Sequence, residues 1–365
     1  MSVLKINIIL FGKGNVGKEF LNQLISNQKK IIEQRNIEIQ FPIITNSRLA
    51  YFEPNGADEN WESNFALSAI PYKMEDIFEY VAIHGLENII AIDLTDSEEI
   101  VEDYIPLIQN GFHIVAANKN ANTSSIAFYK ELRRNLELYG KTFLYEANVS
   151  SGFPVLQTLR DLHSGNEKIT KIKGVFSDSS RNAFNRFTTE ESLFLSVLSE
   201  AGIAGSKKID SLDNLYRNDV AKKILILARE IGANLELSDV NVSLHATSGL
   251  SELNLNDEFK FDNELLESYG ISKSVDEQQN IFRYVGEYLV AENKLEVKLV
   301  PESESFPISS LDGSEKNFEI YTKTYGNIPI VIQGTGSGKE VLARGVLTDV
   351  FKVVDKIKTG KKVLV

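Results

Sequence analysis

The feature that most constrains the fold is a glycine-rich turn between a strand-like and a helix-like segment near the start of the chain. Residues 4–11 are almost continuously apolar, as in a strand buried on both faces. The turn Gly12-Lys13-Gly14-Asn15-Val16-Gly17 follows, and residues 18–33 carry apolar side chains at helical spacing. A second strand-like run at 37–45 completes a β-α-β unit. This order predicts a parallel sheet that begins with a phosphate-binding turn.

In such a turn each glycine has its own task. The first permits a tight turn, the second lets the backbone approach a pyrophosphate, and the third lets the helix pack close to the strand. The pyrophosphate then lies over unpaired N–H groups at the helix start. The alternative is a plain strand–helix turn, because the bare G-x-G-x-x-G pattern is weak by itself. The predicted cofactor-binding residues are Gly12, Gly14, Asn15, Val16 and Gly17.

The end of the second strand bears on the type of dinucleotide. An Asp or Glu is expected there when the ribose 2′-hydroxyl of NAD is held. The sequence instead reads Thr45-Asn46-Ser47-Arg48, and small polar groups with an arginine suit a 2′-phosphate. We therefore expect Asn46, Ser47 and Arg48 to contact the cofactor, and the pattern favours NADP over NAD. The alternative is that Arg48 is a solvated loop residue.

The rest of the chain predicts two domains. Strand-like and helix-like runs alternate up to about residue 148, which indicates a Rossmann-type parallel sheet covered on both faces. Beyond that point strand-like runs follow one another, which indicates a mostly antiparallel sheet with helices on one side. The predicted fold class is α/β, with a Rossmann-type domain (1–148, completed by 320–365) and an α+β domain (149–319). Further predicted elements are strands at 88–94, 113–117, 142–146, 169–176, 240–245, 281–289, 295–301 and 328–333, and helices at 97–110, 124–139, 213–231 and 339–357.

Composition excludes several classes of function. The net charge of −12 argues against a nucleic-acid surface, which needs clustered Lys and Arg. The chain has no cysteine, so disulfides, thiolate nucleophiles and Cys–zinc sites are excluded. No apolar run approaches the ~20 residues that span a bilayer, which predicts no membrane partner. A strand pattern begins at once, without a signal-peptide layout, so a cytoplasmic location is expected.

Lysines are the main candidates for proton chemistry. Lys119 follows the strand at 113–117, and carboxyl strand ends are where such sheets bind ligands. It could donate a proton, hold a carboxylate or be a surface lysine. Asp219 and Lys223 are four residues apart on a predicted helix. They form either an ordinary helix salt bridge of ~0.3–0.5 kcal/mol or a carboxylate–lysine pair beside a substrate. The turn 334–339 is not a P-loop, but Gly338 could contribute to an anion nest.

Several blocks in this order resemble the homoserine dehydrogenase family, and in particular the dehydrogenase module of bifunctional aspartokinase–homoserine dehydrogenases, here standing alone. The resemblance covers nearly the whole chain. The residues that carry it are the glycine turn, Thr45-Asn46-Ser47, Asn118-Lys119 with 121–125, Tyr145-Glu146-Ala147-Asn148-Val149, Gly152 and Pro154, 219–223 with 226–230, Arg283-Tyr284-Val285-Gly286, and the glycines 334, 336, 338 and 345.

The resemblance implies a small-molecule substrate and a specific reaction. The family reduces L-aspartate 4-semialdehyde to L-homoserine with NAD(P)H, in threonine and methionine biosynthesis. Lys119 and Lys223 match the catalytic lysines near the carbonyl, with Asp219 beside Lys223, and Thr95 matches a residue near the nicotinamide ribose. A monovalent cation such as Na⁺ is expected on the backbone carbonyls of Glu146, Val149 and Ser151. The middle domain is then the substrate and dimerisation domain of a homodimer.

The chain departs from the family where the substrate ammonium is held. Lys208 stands in place of the family glutamate that receives this ammonium, and Asn214 replaces an acidic partner. A cation facing an ammonium repels it by more than about 1 kcal/mol when both are partly desolvated. Either Asp178, Asp210 or Asp213 substitutes for the lost carboxylate, or the substrate differs. Three hypotheses remain: homoserine dehydrogenase, a diverged dehydrogenase of another small carbonyl acid, or a non-catalytic nucleotide-binding paralogue.

Overall fold

The computed structural model describes residues 3–176, 210–243, 282–301, 315–335 and 338–362, and at the edges of these ranges only the backbone. Two compact units divide the chain: Met1–Pro154 with Gly336–Val365, and Val155–Thr335. The chain returns to the first unit later than the predicted 320. The reason is that two strands, Glu315–Thr322 and Ile330–Thr335, pair within the sheet of the second unit.

The strands are β1 Leu4–Phe11, β2 Ile37–Thr45, β3 Leu49–Phe52, β4 Ile70–Pro71, β5 Ile89–Asp93, β6 His113–Ala116, β7 Phe143–Leu144, β8 Ile169–Val175, β9 Val240–Ser243, β10 Phe282–Leu289, β11 Lys294–Pro301, β12 Glu315–Thr322 and β13 Ile330–Thr335. The helices are α1 Asn15–Arg35, α2 Trp61–Ser68, α3 Met74–Ile83, α4 Glu99–Glu102, α5 Tyr104–Gln109, α6 Asn120–Thr123, α7 Ile126–Leu138, α8 Val155–Ser164, α9 Asp210–Glu230 and α10 Lys339–Lys362.

The first unit contains a seven-stranded sheet in the order β4-β3-β2-β1-β5-β6-β7. The five strands from β2 to β7 in this order are parallel, which confirms the Rossmann-type prediction. The edge strands β3 and β4 are antiparallel and were not predicted. They are four and two residues long, too short for an alternating pattern to stand out in the sequence.

The core of this unit explains why β1 reads as continuously apolar. Ile6, Ile8 and Leu10 pack in one cluster with apolar residues of α1 and α10. Ile9 and Phe11, at alternate positions, are also fully buried. Successive strand residues point to opposite faces, so helices must cover the sheet on both sides. On the second side α5 packs against α7 and β6.

Two predicted elements are shorter in the structure. The helix predicted at 97–110 is divided into α4 and α5, with Asp103 closing the first by donating its N–H to Ile100 O at 3.1 Å. The strand predicted at 142–146 stops at Leu144, and a 3-10 turn covers Glu146–Asn148. It stops there because Glu146 N donates to the Asp349 carboxylate of α10, at 2.8 Å, instead of to a neighbouring strand.

The second unit contains a six-stranded sheet in the order β13-β12-β8-β10-β11-β9. All pairs are antiparallel except β11 with β9, as expected for an α+β domain. Helix α9 packs on β10 and β11, and its fully buried Val220, Ile224 and Leu227 form the predicted apolar stripe. Among the described helices of both units, none is long and apolar enough to cross a membrane.

Candidate active site

The glycine turn forms the start of α1, as predicted. Gly12 adopts a φ of 95°, a left-handed conformation that favours glycine. A Cβ on Gly17 would overlap Gly12 O, so only glycine lets the helix begin this close to the strand. Gly14 is the N-cap, is exposed, and would meet nothing within 4 Å if it carried a Cβ. Because no side chain caps the helix and its first turn has no acidic residue, its N–H groups face an open, anion-favouring position.

The turn meets the ends of two neighbouring strands. Gly12 N and Lys13 N both donate to Thr45 O at 3.1 Å, which joins the turn to the end of β2. A Cβ on Gly12 would lie 2.9 Å from Thr95 Cγ2, just past the end of β5. The predicted residues Gly12, Asn46 and Thr95 therefore lie together at the carboxyl edge of the parallel sheet, where ligands bind in such folds.

The segment after β2 is an ordered turn. Asn46 Oδ1 accepts hydrogen bonds from Arg48 N at 2.9 Å and Leu49 N at 2.7 Å, and the Tyr72 hydroxyl donates to Asn46 O at 3.3 Å. Asn46 therefore shapes the turn with its side-chain oxygen. Ser47 and Arg48 are exposed, which leaves both side chains accessible to a ligand at this edge.

Lys119 lies at the next position along the same edge, directly after β6. It is the N-cap of α6, and its carbonyl accepts from Asn122 N at 3.0 Å. The residue before it, Asn118, is 1% exposed. Asn118 Nδ2 donates to Asp93 Oδ2 at 2.9 Å and to Ser97 O at 2.8 Å. These buried bonds fix the backbone from which Lys119 projects.

Asp93 is the centre of this arrangement. Its carboxylate accepts from Thr95 N at 2.8 Å, from the Tyr104 hydroxyl at 2.7 Å and from Asn118. Burial raises the pKa of Asp93, and the hydrogen bonds from Thr95, Tyr104 and Asn118 oppose this rise. The same burial, with the nearby Asp93 charge, raises the pKa of Tyr104 well above its usual value. Asp93 thus connects Thr95 with the segment that carries Lys119.

A second buried network of hydrogen bonds, centred on Asn148, also holds the segment that carries Lys119. Asn148 Nδ2 donates to Ala116 O at 3.0 Å and to Asn118 O at 3.1 Å, while its Oδ1 accepts from Asn122 at 2.9 Å. Arg133 in turn donates to Asn122 Oδ1 at 2.8 Å. Since buried amides are costly to leave unpaired, this connected set holds both sides of the Lys119 backbone in one conformation.

The residues predicted to bind a monovalent cation lie beside this network. The Glu146 carbonyl accepts from Val149 N and Ser150 N, both at 3.3 Å. Ser151 adopts a φ of 63°, and its carbonyl packs so closely on Gly345 of α10 that a Cβ there would overlap it. The Glu146 carbonyl is therefore hydrogen-bonded within the chain, and the Ser151 carbonyl is packed closely against α10. The cation site stays a prediction.

Gly338, the last predicted cofactor residue, precedes α10. It has a φ of 109°, and its carbonyl accepts the first hydrogen bond of that helix, from Leu342 N at 3.2 Å. Lys339 Nζ lies 3.4 Å from Glu19 Oε2 of α1. Gly338 is thus placed near the first turns of α1, on the same unit as the glycine turn.

Lys223 and Asp219 lie in the second unit, on α9. Lys223 Nζ lies 2.6 Å from Asp219 Oδ2, so the helix ion pair considered from the sequence is present. Nζ also donates to Phe176 O at 3.3 Å. The Lys223 side chain is 12% exposed, so this ammonium is largely removed from solvent. Within the described ranges it contacts the Asp219 carboxylate and the Phe176 carbonyl. The low exposure and the second acceptor distinguish this pair from an ordinary salt bridge on a helix surface.

The predicted substrate residues are placed only in part. Asp213 lies within α9, where the backbone alone is described. Asp178 and Lys208 lie outside the described residues. The structure therefore brings together Gly12, Gly14, Gly17, Asn46, Thr95 and Lys119 in the first unit, and Asp219 with Lys223 in the second.

Sequence reasoning missed Asp93, Asn148 and Phe176. Asp93 had a usable signal, because it is a charged residue at the end of the apolar strand β5. Asn148 lies in the Tyr145–Val149 block that carries the family resemblance but was given no role of its own. Phe176 had no signal, since its partner Lys223 lies far along the chain. A groove of about 510 Å³ lies elsewhere on the first unit, along α1, β2 and residues 55–60. It contains none of the predicted site residues, so its size does not mark the candidate site.

Together the sheet order, the uncapped glycine turn and the polar carboxyl edge place the chain in the class of Rossmann-type dinucleotide-binding proteins. Comparison with known proteins narrows this class. Residues 12–146 match the family described as "Homoserine dehydrogenase, NAD binding domain", and residues 154–351 match "Homoserine dehydrogenase". The chain therefore belongs to the homoserine dehydrogenase family, NAD(P)-dependent oxidoreductases that act on CH–OH groups. The resemblance inferred from the motifs is confirmed.

Similar proteins agree with this assignment. A bifunctional aspartokinase/homoserine dehydrogenase of Haemophilus influenzae is 32% identical over 96% of this chain, which spans 43% of that protein. The solved structure of a Candida auris protein of unknown function has 26% sequence identity and a TM-score of 0.78, and the match covers 97% of this chain and 99% of the Candida auris chain. A hyperthermophilic archaeal homoserine dehydrogenase in complex with NADPH has 21% identity and a TM-score of 0.71, with coverages of 97% and 98%. This last likeness concerns the fold.

Proposed function

We propose that the protein is an NAD(P)-dependent homoserine dehydrogenase that interconverts L-aspartate 4-semialdehyde and L-homoserine, as a step of threonine and methionine biosynthesis. The observation that carries the proposal is Lys223, a mostly buried lysine held by Asp219 and by the Phe176 carbonyl. It lies in the segment that matches the homoserine dehydrogenase family. A partly desolvated ammonium is suited to stabilise a developing alkoxide and to deliver its proton.

The residues of the glycine turn fit the cofactor. The uncapped start of α1 offers N–H donors for the pyrophosphate, and Gly14 leaves the space before it open. Thr95 is positioned at the edge where the nicotinamide ribose is expected. When bound, the reduced nicotinamide supplies the hydride that reduces the aldehyde carbon. The exposed Arg48 supports NADP as the preferred form, since its guanidinium matches a 2′-phosphate.

The lysines have separate tasks in this proposal. Lys223 donates a hydrogen bond to the substrate oxygen as negative charge develops there and then transfers that proton to the alkoxide, which leaves a neutral amine beside Asp219. In the reverse direction the same group receives the alcohol proton. Lys119, fixed by the Asn118 and Asn148 hydrogen bonds, binds a substrate oxygen as a second cation.

The test is the oxidation of NADPH by aspartate semialdehyde, followed in the wild type and in Lys223→Ala. We expect kcat to fall by about 10²–10⁴, the contribution typical of a positioned acid or oxyanion donor, with the NADPH Kd unchanged. Lys222→Ala, which removes the adjacent lysine of the same helix, is the matched control and should retain kcat. Equal activity of Lys223→Ala and the wild type would reduce the Asp219–Lys223 pair to a structural role.

A second candidate is a dehydrogenase of a related carbonyl acid that lacks the amino group. It is favoured by Lys208 and Asn214, which replace acidic residues of the family at the ammonium site. Asp178, Asp210 or Asp213 would have to replace them for an amino-acid substrate. Succinate semialdehyde differs from aspartate semialdehyde only by this amino group. A higher kcat/KM with succinate semialdehyde would favour the second candidate, and the reverse preference supports homoserine dehydrogenase. Binding of NADPH without any turnover would indicate the non-catalytic paralogue.

We also propose a homodimer formed by the second unit, in the cytoplasm. Ile328, just before the edge strand β13, and Val331, within that strand, are 77% and 44% exposed, which supports a contact surface there. Light scattering coupled to gel filtration tests the mass, and Val331→Lys should shift it toward the monomer. Fractionation of cells tests the compartment. A Na⁺ site near Glu146 predicts that Na⁺ raises kcat relative to a large organic cation at equal ionic strength.

A further inference from the structure

The second hydrogen-bond acceptor of Lys223 is the carbonyl of Phe176, whose ring packs against two glycines. We call the space over these two glycines, Gly174 and Gly286, the seat of the ring. Gly174 of β8 and Gly286 of β10 are directly paired across the two strands. The fully buried ring of Phe176 lies over both glycines. A Cβ on Gly174 would lie 2.8 Å from Phe176 Cζ, and one on Gly286 would lie 2.9 Å from Phe176 Cε2. Since side chains do not approach this closely, the ring occupies space that exists only because both positions are glycine.

One of the two glycines also determines how close α9 lies to the sheet. A Cβ on Gly286 would be 3.1 Å from Ile224 Cβ and 3.3 Å from Val220 Cγ1. Ile224 is the residue next to Lys223. A side chain at 286 would therefore push against both the helix that carries the lysine and the ring beside the lysine's acceptor. Gly174 differs, because the three described atoms nearest to its Cβ would belong to Phe176 and, at 3.2 Å, to Phe318, and none to α9.

The geometry of an ammonium group gives this seat a consequence. Lysine Nζ has three N–H donors and no acceptor. Asp219 Oδ2, at 2.6 Å, and Phe176 O, at 3.3 Å, receive two of them. With two directions fixed, the third N–H points in one direction in space. With Asp219 alone, the flexible lysine side chain could swing its Cε–Nζ bond about that single hydrogen bond and carry the other two N–H groups with it; the second acceptor removes this freedom.

We propose that Gly174 and Gly286 seat the Phe176 ring so that the Phe176 carbonyl orients the third N–H of Lys223 toward the substrate oxygen. Gly174, Gly286 and Phe176 are then positioning residues for the reaction, a role that rests on the proposed function of Lys223. Orientation of a donor matters most in the transition state, where the charge develops. Displacing the carbonyl should therefore lower kcat and leave substrate and cofactor binding largely unchanged.

The experiment adds volume at one of the two glycines and removes volume from the Phe176 ring. Gly174→Ala adds a methyl group where the ring lies, and Phe176→Leu removes the ring atoms Cε2 and Cζ that this methyl would meet. We expect Gly174→Ala to lower kcat about tenfold or more, with KM and the NADPH Kd within about twofold of the wild type. The double variant should regain the kcat of Phe176→Leu. Val297→Ala, a buried change on β11 of the same sheet, is the control for destabilisation and should retain kcat.

Crystal structures of the wild type and Gly174→Ala give a readout that is independent of turnover. The Lys223 Nζ–Phe176 O distance should exceed 3.5 Å in the variant and return to hydrogen-bond length in the double variant. If Gly174→Ala does not fold, Phe176→Ala empties the seat while keeping both glycines, and should show the same loss of kcat and of the hydrogen bond.

The outcomes separate the two proposals. A wild type that leaves aspartate and succinate semialdehydes unreduced contradicts the proposed function. The Lys223 Nζ–Phe176 O distances in the crystal structures then test by themselves whether the two glycines position the Phe176 carbonyl. An active wild type whose Gly174→Ala variant keeps its kcat overturns the positioning role. A loss that Phe176→Leu does not rescue overturns it equally, as does an unchanged Lys223–Phe176 hydrogen bond in the variant.

Discussion

His113 predicts a specific loss of stability in mild acid. It begins β6, the strand that leads to Lys119, and its Nδ1 accepts a hydrogen bond from Thr142 N at 3.1 Å. Burial, with the positive charges of Lys141 and Lys356, lowers the pKa of His113 from 6.5 to about 4. A protonated imidazole has no acceptor nitrogen, so protonation also breaks the bond to Thr142.

The sign and size follow from linkage. The folded state binds the His113 proton less readily than the unfolded state, so its contribution to stability is fully present above pH 6.5. The contribution decreases as the pH falls from 6.5 toward about 4. The pKa of His113 differs by about 2.5 between the unfolded and folded states, which corresponds to about 3 kcal/mol of unfolding free energy in total. About 1.4 kcal/mol of this free energy is lost by pH 5.5.

The assay is urea unfolding between pH 8 and pH 4.5, followed by tryptophan fluorescence. The chain has one tryptophan, Trp61, which is buried in the first unit, so the signal reports the unit that contains His113. His113→Asn keeps an acceptor near the Nδ1 position and does not titrate. The wild type should lose about 1.4 kcal/mol more than His113→Asn between pH 8 and pH 5.5. Parallel curves for the two proteins would refute the reasoning.

Three further predictions concern the first unit. Gly17→Ala should prevent both folding of the turn and NADPH binding, because its Cβ would overlap Gly12 O. Gly14→Ala should fold normally, because its Cβ meets no protein atom, and should only raise the NADPH Kd measured by fluorescence titration. Asn118→Ala removes a hydrogen bond to the buried Asp93 and should destabilise the unit by about 3 kcal/mol in urea, with a lower kcat; an unchanged midpoint would contradict the network. Arg48→Ala should raise the NADPH Kd about tenfold, one charge-assisted bond, and leave the NADH Kd unchanged; equal effects on both would place Arg48 away from the 2′-phosphate.

The sequence predicts those parts of the fold that depend on local patterns. The turn at Gly12–Gly17 and the long helices α1 and α10 follow from residue type and spacing over a few neighbours. The strands β3 and β4 escape prediction because so few residues leave no measurable alternation. The return to the first unit was placed too early because a strand's sequence does not state which sheet it joins, as β12 and β13 demonstrate.

The candidate site divides in the same way. Lys119 and Lys223 are candidates chosen from motifs, and the ion pair of Lys223 with Asp219 follows from helical spacing. The hydrogen bonds of Asn148 and Phe176 could not be predicted, because they join residues separated by 32 and 47 positions. Long-range hydrogen bonds of this kind depend on the finished packing.

The most direct measurement of the central claim is steady-state kinetics of the purified protein with aspartate semialdehyde, following the loss of NADPH absorbance with homoserine identified as the product. The account predicts saturable turnover that largely disappears in Lys223→Ala, while NADPH still binds that variant. A wild type that oxidises no NADPH at any aspartate semialdehyde concentration would contradict it.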